Sequence, residues 1–302
     1  MTDHWPDGVT VITGEGEDPY QWRVERTYAD SPALWERVLG RDLWFQFGTY
    51  DASKPLTLDE AAARYMGQQL DLAHDGGLLE IPGRILDVGF GWGAGLAYLA
   101  ERYPGCRRLD GVNVSPVQCQ HAAERLRARA LLDRVSLFQC NARDVHLLPD
   151  PELLYDLVVA RGSITHFPNP VLETAMRGLA ARTSEGAAVV ISENLYDIPL
   201  AEYRSAVPDS VDRMACGNRK TPDYLCQVLD HSGFEVTDIR KLPSPGDAVR
   251  WLEEIKHNIA TRLSLPLPGA LAELRDQVEN LLAAAQAGTI SVYSVIAYRR
   301  PR

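Results

Sequence analysis

Residues 84–95 read Arg-Ile-Leu-Asp-Val-Gly-Phe-Gly-Trp-Gly-Ala-Gly, and no other stretch of the chain restricts its fold as much. Positions 85–88 are apolar apart from Asp87, glycine occupies 89, 91, 93 and 95, and an apolar segment with helical spacing covers 96–103. Strand, glycine turn and helix in that order build a ligand site at the carboxyl edge of the first strand of an α/β sheet. Glycine permits the sharp turn and lets a ligand lie against peptide N–H groups where a Cβ would collide. The helix then points the positive end of its dipole at the ligand.

Two ligand classes suit such a turn. Gly89, Gly91 and Ala94 satisfy the dinucleotide fingerprint, so a nicotinamide oxidoreductase stays open. Asp87 favours the other class, because a carboxylate there would repel a pyrophosphate and attract an ammonium. The run Ile-Leu-Asp-Val-Gly-x-Gly-x-Gly resembles motif I of the class I S-adenosylmethionine-dependent methyltransferases. The resemblance implies a doubly wound, seven-stranded Rossmann-like α/β sheet. It also implies S-adenosylmethionine as cofactor, S-adenosylhomocysteine as product, and Asp87, Gly89, Gly91 and Gly93 among the cofactor-binding residues.

Composition narrows the partners. With 302 residues and a formal net charge of −10, the chain is poorly suited to nucleic acid or an anionic membrane. No apolar run reaches membrane-span length, and the N-terminus lacks the basic and apolar regions of a signal peptide. Five scattered cysteines with no Cys-x-x-Cys pair predict no zinc site, no other metal and reduced thiols, hence a cytoplasmic protein. A small molecule is the expected partner, and monomer and homodimer both stay open.

Residues 1–30 read as a partly ordered arm. Helices are expected over 32–39 and from the Thr57-x-x-Glu60 capping box to about 74, giving an arm and helical cap over 1–75. From Arg84 strand and helix alternate as in a parallel sheet, with strands near 107–113, 135–139, 156–160, 187–192, 234–241 and 290–299. The core domain is thus 76–302, interrupted by lid insertions at about 194–220 and 243–289. The second insertion carries two apolar helical patterns.

The second strand should end near the cofactor ribose. Gly-Val-Asn113-Val-Ser-Pro-Val-Gln118 resembles the run found in cyclopropane fatty acid synthases, prenyl diphosphate C-methyltransferases and sugar O-methyltransferases, which implies ribose contacts for Asn113 and Gln118. Cys140-Asn141-Ala142 resembles the family's Gly-Asp-Ala turn, which implies an adenine contact for Asn141 and Ala142. Arg161, closing the fourth strand, joins the cofactor candidates. The aromatic loop 43–51 resembles the segment that folds over the donor, which implies that Tyr50 touches its methionine end while Trp44, Phe45 and Phe47 line an acceptor pocket.

Methyl transfer from a sulfonium needs aligned reactants and often a base. His166 and Glu193 should be neighbours at the carboxyl edge, Glu193 orienting the imidazole as general base. Ser-x-x-His-Phe-Pro-Asn resembles the base-bearing segment of sugar O-methyltransferases, although Thr165 replaces one histidine of that pattern. Asn218-Arg219-Lys220 reads as a solvated turn, with a phosphate site as the alternative. The favoured reading is O-methylation of a small natural product; C-methylation of an apolar alkene and a cyclase that keeps the cofactor as scaffold are its rivals.

Overall fold

The structure, a computed structural model, describes residues 8–14, 16, 18–199, 202, 217–267 and 269–301. Its centre is one mixed sheet of strands β1 Val9–Val11, β2 Arg84–Val88, β3 Arg108–Asn113, β4 Val135–Gln139, β5 Tyr155–Arg161, β6 Thr183–Tyr196, β7 Phe234–Lys241 and β8 Ile290–Arg299. They lie in the order β1-β4-β3-β2-β5-β6-β8-β7. β1 to β6 run parallel, and β8 slots antiparallel between β6 and β7. The chain direction therefore reverses beside β2, between β3 and β5, which opens a crevice at the carboxyl ends of these strands.

The helices are α1 Pro19–Thr27, α2 Pro32–Leu39, α3 Leu58–Asp75, α4 Ala94–Arg102, α5 Pro116–Ala128, α6 Asn169–Arg182, α7 Pro222–His231, α8 Pro245–Arg262 and α9 Gly269–Gln286. Their starts follow from local chemistry. Thr57 accepts from Glu60 N while the Glu60 carboxylate takes Thr57 N, so two orphan N–H groups are satisfied at α3. Ser115, Thr221 and Ser244 cap α5, α7 and α8 just before a proline at the first helical position.

The doubly wound sheet expected from the sequence is present in β2 to β8, with four differences around it. An eighth strand, β1, pairs with the edge of β4; three residues are too short for a period-two pattern to show. The last strand is antiparallel, because β8 returns after β7 and fills the position between β6 and β7. The 1–30 arm holds α1, whose Asp18-Pro19-x-Gln21 start forms a capping box. β6 continues to Tyr196 through its pairing with Ile290, so the first insertion starts later than residue 194. Residues 203–216 of that insertion lie outside the described residues.

β2 is buried at all five positions between helical layers, as a central parallel strand should be. It nevertheless carries two charges, one at each end. At the amino end Arg84 pairs with Asp110 at 2.6 Å, and Asp110, fully buried, also accepts from Arg108 and the Tyr155 hydroxyl. At the carboxyl end Asp87 faces the crevice. Over that edge α2 packs on α8 and α1 reaches α9, so cap and second insertion meet above the strand ends. None of the described helices is long and apolar enough to cross a membrane.

Candidate active site

The glycine turn after β2 has the geometry its sequence requires. Gly89, Gly91 and Gly93 have φ of 83°, 55° and 87°, in the left-handed region that side chains avoid. A Cβ on Gly89 would sit 2.5 Å from Ser163 Cβ, whereas a Cβ on Gly91 would meet nothing within 4 Å. Gly89 thus serves close packing, and Gly91 keeps the cavity side of the turn open.

That turn forms one wall of a cavity of about 900 Å³, part of it open to solvent. Asp87, Gly89, Gly91, Asn113, Gln118, Ala142, Arg161 and His166 line it, together with Tyr20 and Val24 of α1 and Tyr28 just after it. Asn113 and Gln118 are buried and joined, Asn113 Nδ2 donating to Gln118 Oε1 at 2.9 Å. Asn113 Oδ1 accepts from Ser115 N, which fixes the side chain at the strand end. Gln118 therefore presents its amide N–H groups as the adaptable end of the pair.

Asp87 is 5% exposed and forms no hydrogen bond with the described residues. Burial pushes its carboxyl up to about 7, against the opposing pull of Arg161. Arg161 donates through Nε to Gln69, lies over the Tyr65 ring at 4.9 Å, and is drawn down to about 10 by burial. Its Nη2 is buried with no hydrogen-bond partner. A lone carboxylate and an unfilled guanidinium nitrogen in one cavity are complementary to an amino acid's ammonium and carboxylate. This donor set fits the tail of S-adenosylmethionine and has no counterpart for a pyrophosphate at Asp87.

Two cofactor candidates have other neighbours. Asn141 does not line the cavity: its Oδ1 accepts the Tyr20 hydroxyl at 2.6 Å and Arg143 N, and its Nδ2 donates to Asp18 and Gln21. With every hydrogen-bonding position used, the side chain holds α1 as a roof over the cavity. Tyr50 lies outside both large cavities, its ring 4.1 Å below the Arg250 guanidinium and its hydroxyl 3.4 Å from Glu254 of α8. Desolvation and the Glu254 charge push this phenol well above its usual range. The cavity-lining role of α1 is the main feature that sequence reading missed, though the capping box and the Tyr20, Val24, Tyr28 spacing signal an amphipathic helix.

A second cavity of about 660 Å³ adjoins the first. The two share Tyr28, Phe45, Gln46, Gly162 and His166. Beyond them the second is walled by Phe47, Trp251 and Leu252, by Leu274, Gln277, Val278 and Leu281 of α9, and by Ser192 to Asn194 of β6. His166 packs edge-on to Tyr28 with centroids 6.3 Å apart, and Asn218 donates to its carbonyl.

Glu193 is buried on the floor of this cavity. One carboxylate oxygen accepts from Thr165 N at 3.0 Å and the other from Asn194 N at 2.9 Å, so Glu193 braces the backbone of the His166 loop. Burial raises its carboxyl to about 7, against those bonds and the nearby Arg219 charge. Arg219 and Lys220 are buried, not in a solvated turn, because Lys220 runs beside β6 with Tyr196 N donating to its carbonyl. Lys220 Nζ donates to the Phe167 carbonyl at 2.7 Å and is lowered to about 8 by burial.

Comparison with known proteins agrees with this geometry. Residues 85–186, which run from β2 to the start of β6, match the family model described as a methyltransferase domain. A probable chloroplastic tocopherol O-methyltransferase of Oryza sativa is 29% identical over 223 residues, covering 70% of this chain; the chain spans 59% of that relative's length. A mycolic acid cyclopropane synthase solved with S-adenosylhomocysteine superposes with a TM-score of 0.78 at 16% identity, over 94% of this chain and all of the other. The cyclase SpnF superposes with a TM-score of 0.75 at 21% identity, over 96% of this chain and all of SpnF. Residues 85–186 are thus a methyltransferase domain, and the fold around them is the one shared by these S-adenosylhomocysteine-binding structures. Beside that domain the chain carries an aromatic second cavity walled by Tyr28, just after α1, and by the α8–α9 insertion.

Proposed function

We propose that the protein transfers a methyl group from S-adenosylmethionine to a small, largely apolar acceptor, with His166 as general base on an acceptor hydroxyl. The observation that carries this reading is the meeting of the two cavities at His166. Bound in the first cavity, the cofactor supplies an electrophilic methyl group on a sulfonium. Asp87 and Arg161 take the ammonium and carboxylate of its tail, and Asn113 with Gln118 takes the ribose. Residues 1–75 act as the cap, α1 closing the nucleoside end while aromatic rings exclude water from the junction. His166 removes the acceptor proton there, and Glu193 acts as a positioning residue through Thr165.

The relative named for O-methylation of tocopherol supports an oxygen acceptor within an apolar molecule. A natural product in the cytoplasm is the corresponding substrate class. A second reading draws on Tyr28, Phe45, Trp92 and Trp251 around the junction, since electron-rich rings suit a carbocation formed when an alkene is C-methylated. Incubation with methyl-labelled cofactor and an acceptor panel, followed by product NMR, separates the two. Under the first reading His166→Ala lowers turnover by about 10²–10⁴-fold with S-adenosylhomocysteine affinity unchanged. Near-normal turnover in that variant would remove His166 as base.

A further inference from the structure

The α9 wall of the second cavity contains a side chain that its helix does not need. On α9 the buried stripe is Ala270, Leu271, Leu274, Gln277, Val278, Leu281 and Ala284, apolar except for Gln277. Gln277 is 7% exposed, lines the cavity and forms no hydrogen bond with the described residues. Across the same cavity Asn194 of β6 has a buried Oδ1 that also lacks a partner. A buried acceptor such as Asn194 Oδ1 is costly without a partner, and the Gln277 amide faces the same cavity with its hydrogen bonds open to whatever fills it. Among the described residues no lysine or arginine lines this cavity, and both oxygens of their one carboxylate there, Glu193, accept from backbone N–H groups.

We infer that Gln277 is a specificity-determining residue that reads a neutral oxygen function, a carbonyl or hydroxyl, on the acceptor at a distance from the atom methylated at His166. This rests on the second cavity being the acceptor site. It narrows the substrate class to uncharged, oxygenated, mainly apolar molecules. A diphosphate ester finds no countercharge among the described residues of this cavity, and a plain hydrocarbon chain would leave both amides unsatisfied.

Gln277→Leu keeps the bulk and removes the amide. The ligand-free variant should melt at the same temperature as the parent or a few degrees higher, since no protein partner of the amide is lost. The matched probes 1-tetralone and tetralin, which differ by one carbonyl, are then titrated into protein saturated with S-adenosylhomocysteine and followed by ligand-observed NMR. The parent should prefer the ketone, and that preference should shrink roughly fivefold in the variant, the worth of one ordinary hydrogen bond. A lower melting temperature, an unchanged preference, or failure of the parent to bind the ketone would each overturn the assignment. Labelled-methyl transfer measured on the parent in parallel keeps the proposed activity a separate question from the role of Gln277.

Discussion

If Asp87 takes the cofactor ammonium as proposed, binding depends on pH with a sign set by the burial of its carboxyl. Its carboxyl titrates near 7 in the free protein against about 3.8 for an ordinary aspartate, because burial penalises the anion more than Arg161 favours it. A cofactor ammonium binds the ionised form, so affinity follows the ionised fraction, roughly nine-tenths at pH 8 and one-tenth at pH 6. The amino group of a free amino acid stays protonated over this range and adds no slope of its own. Calorimetry with S-adenosylhomocysteine should therefore show nearly tenfold weaker binding at pH 6 than at pH 8. Stability moves the other way: the folded state keeps its proton up to about 7, so this group's contribution declines as pH rises from about 4 to 7. Asp87→Asn should flatten the binding profile and weaken affinity at pH 8 by about 10- to 100-fold, without lowering the melting temperature there. Tighter binding at pH 6, or an asparagine variant with parental affinity, would refute the reasoning.

Three further outcomes are expected. Tyr20→Phe removes the hydroxyl bond to Asn141 and should cost about 1 kcal/mol, seen as faster dissociation of S-adenosylhomocysteine in stopped-flow measurements. Gly89→Ala places a Cβ 2.5 Å from Ser163 Cβ in the left-handed region, so denaturant melts should show a loss above about 2 kcal/mol. Asp110→Ala leaves Arg84 buried without its partner and should destabilise the fold by about 3–5 kcal/mol; calorimetry on the surviving folded fraction should return parental cofactor affinity, because this pair lies at the amino ends of the strands.

The sheet and the glycine turn were legible because both rest on local rules. Apolar strand runs alternate with capped helices, and a carboxylate followed by alternating glycines has few structural uses. The antiparallel placement of β8 was not legible, since Ile290 to Arg299 reads as a strand whichever way it runs. Asn141 shows a second limit. Its position after β4 was evident, yet three of its four bonds depend on Asp18, Tyr20 and Gln21, more than 100 residues earlier in the chain. Arg219 and Lys220 show a third: two cations beside an asparagine resemble a wet turn until the edge of β6 is seen to bury them.

The roof over the nucleoside cavity is the leading helix of the chain, clasped by Tyr20 and Asp18 onto a single amide. On the proposed placement of the cofactor, exchange past that end requires these bonds to break, which ties cofactor release to the anchoring of α1.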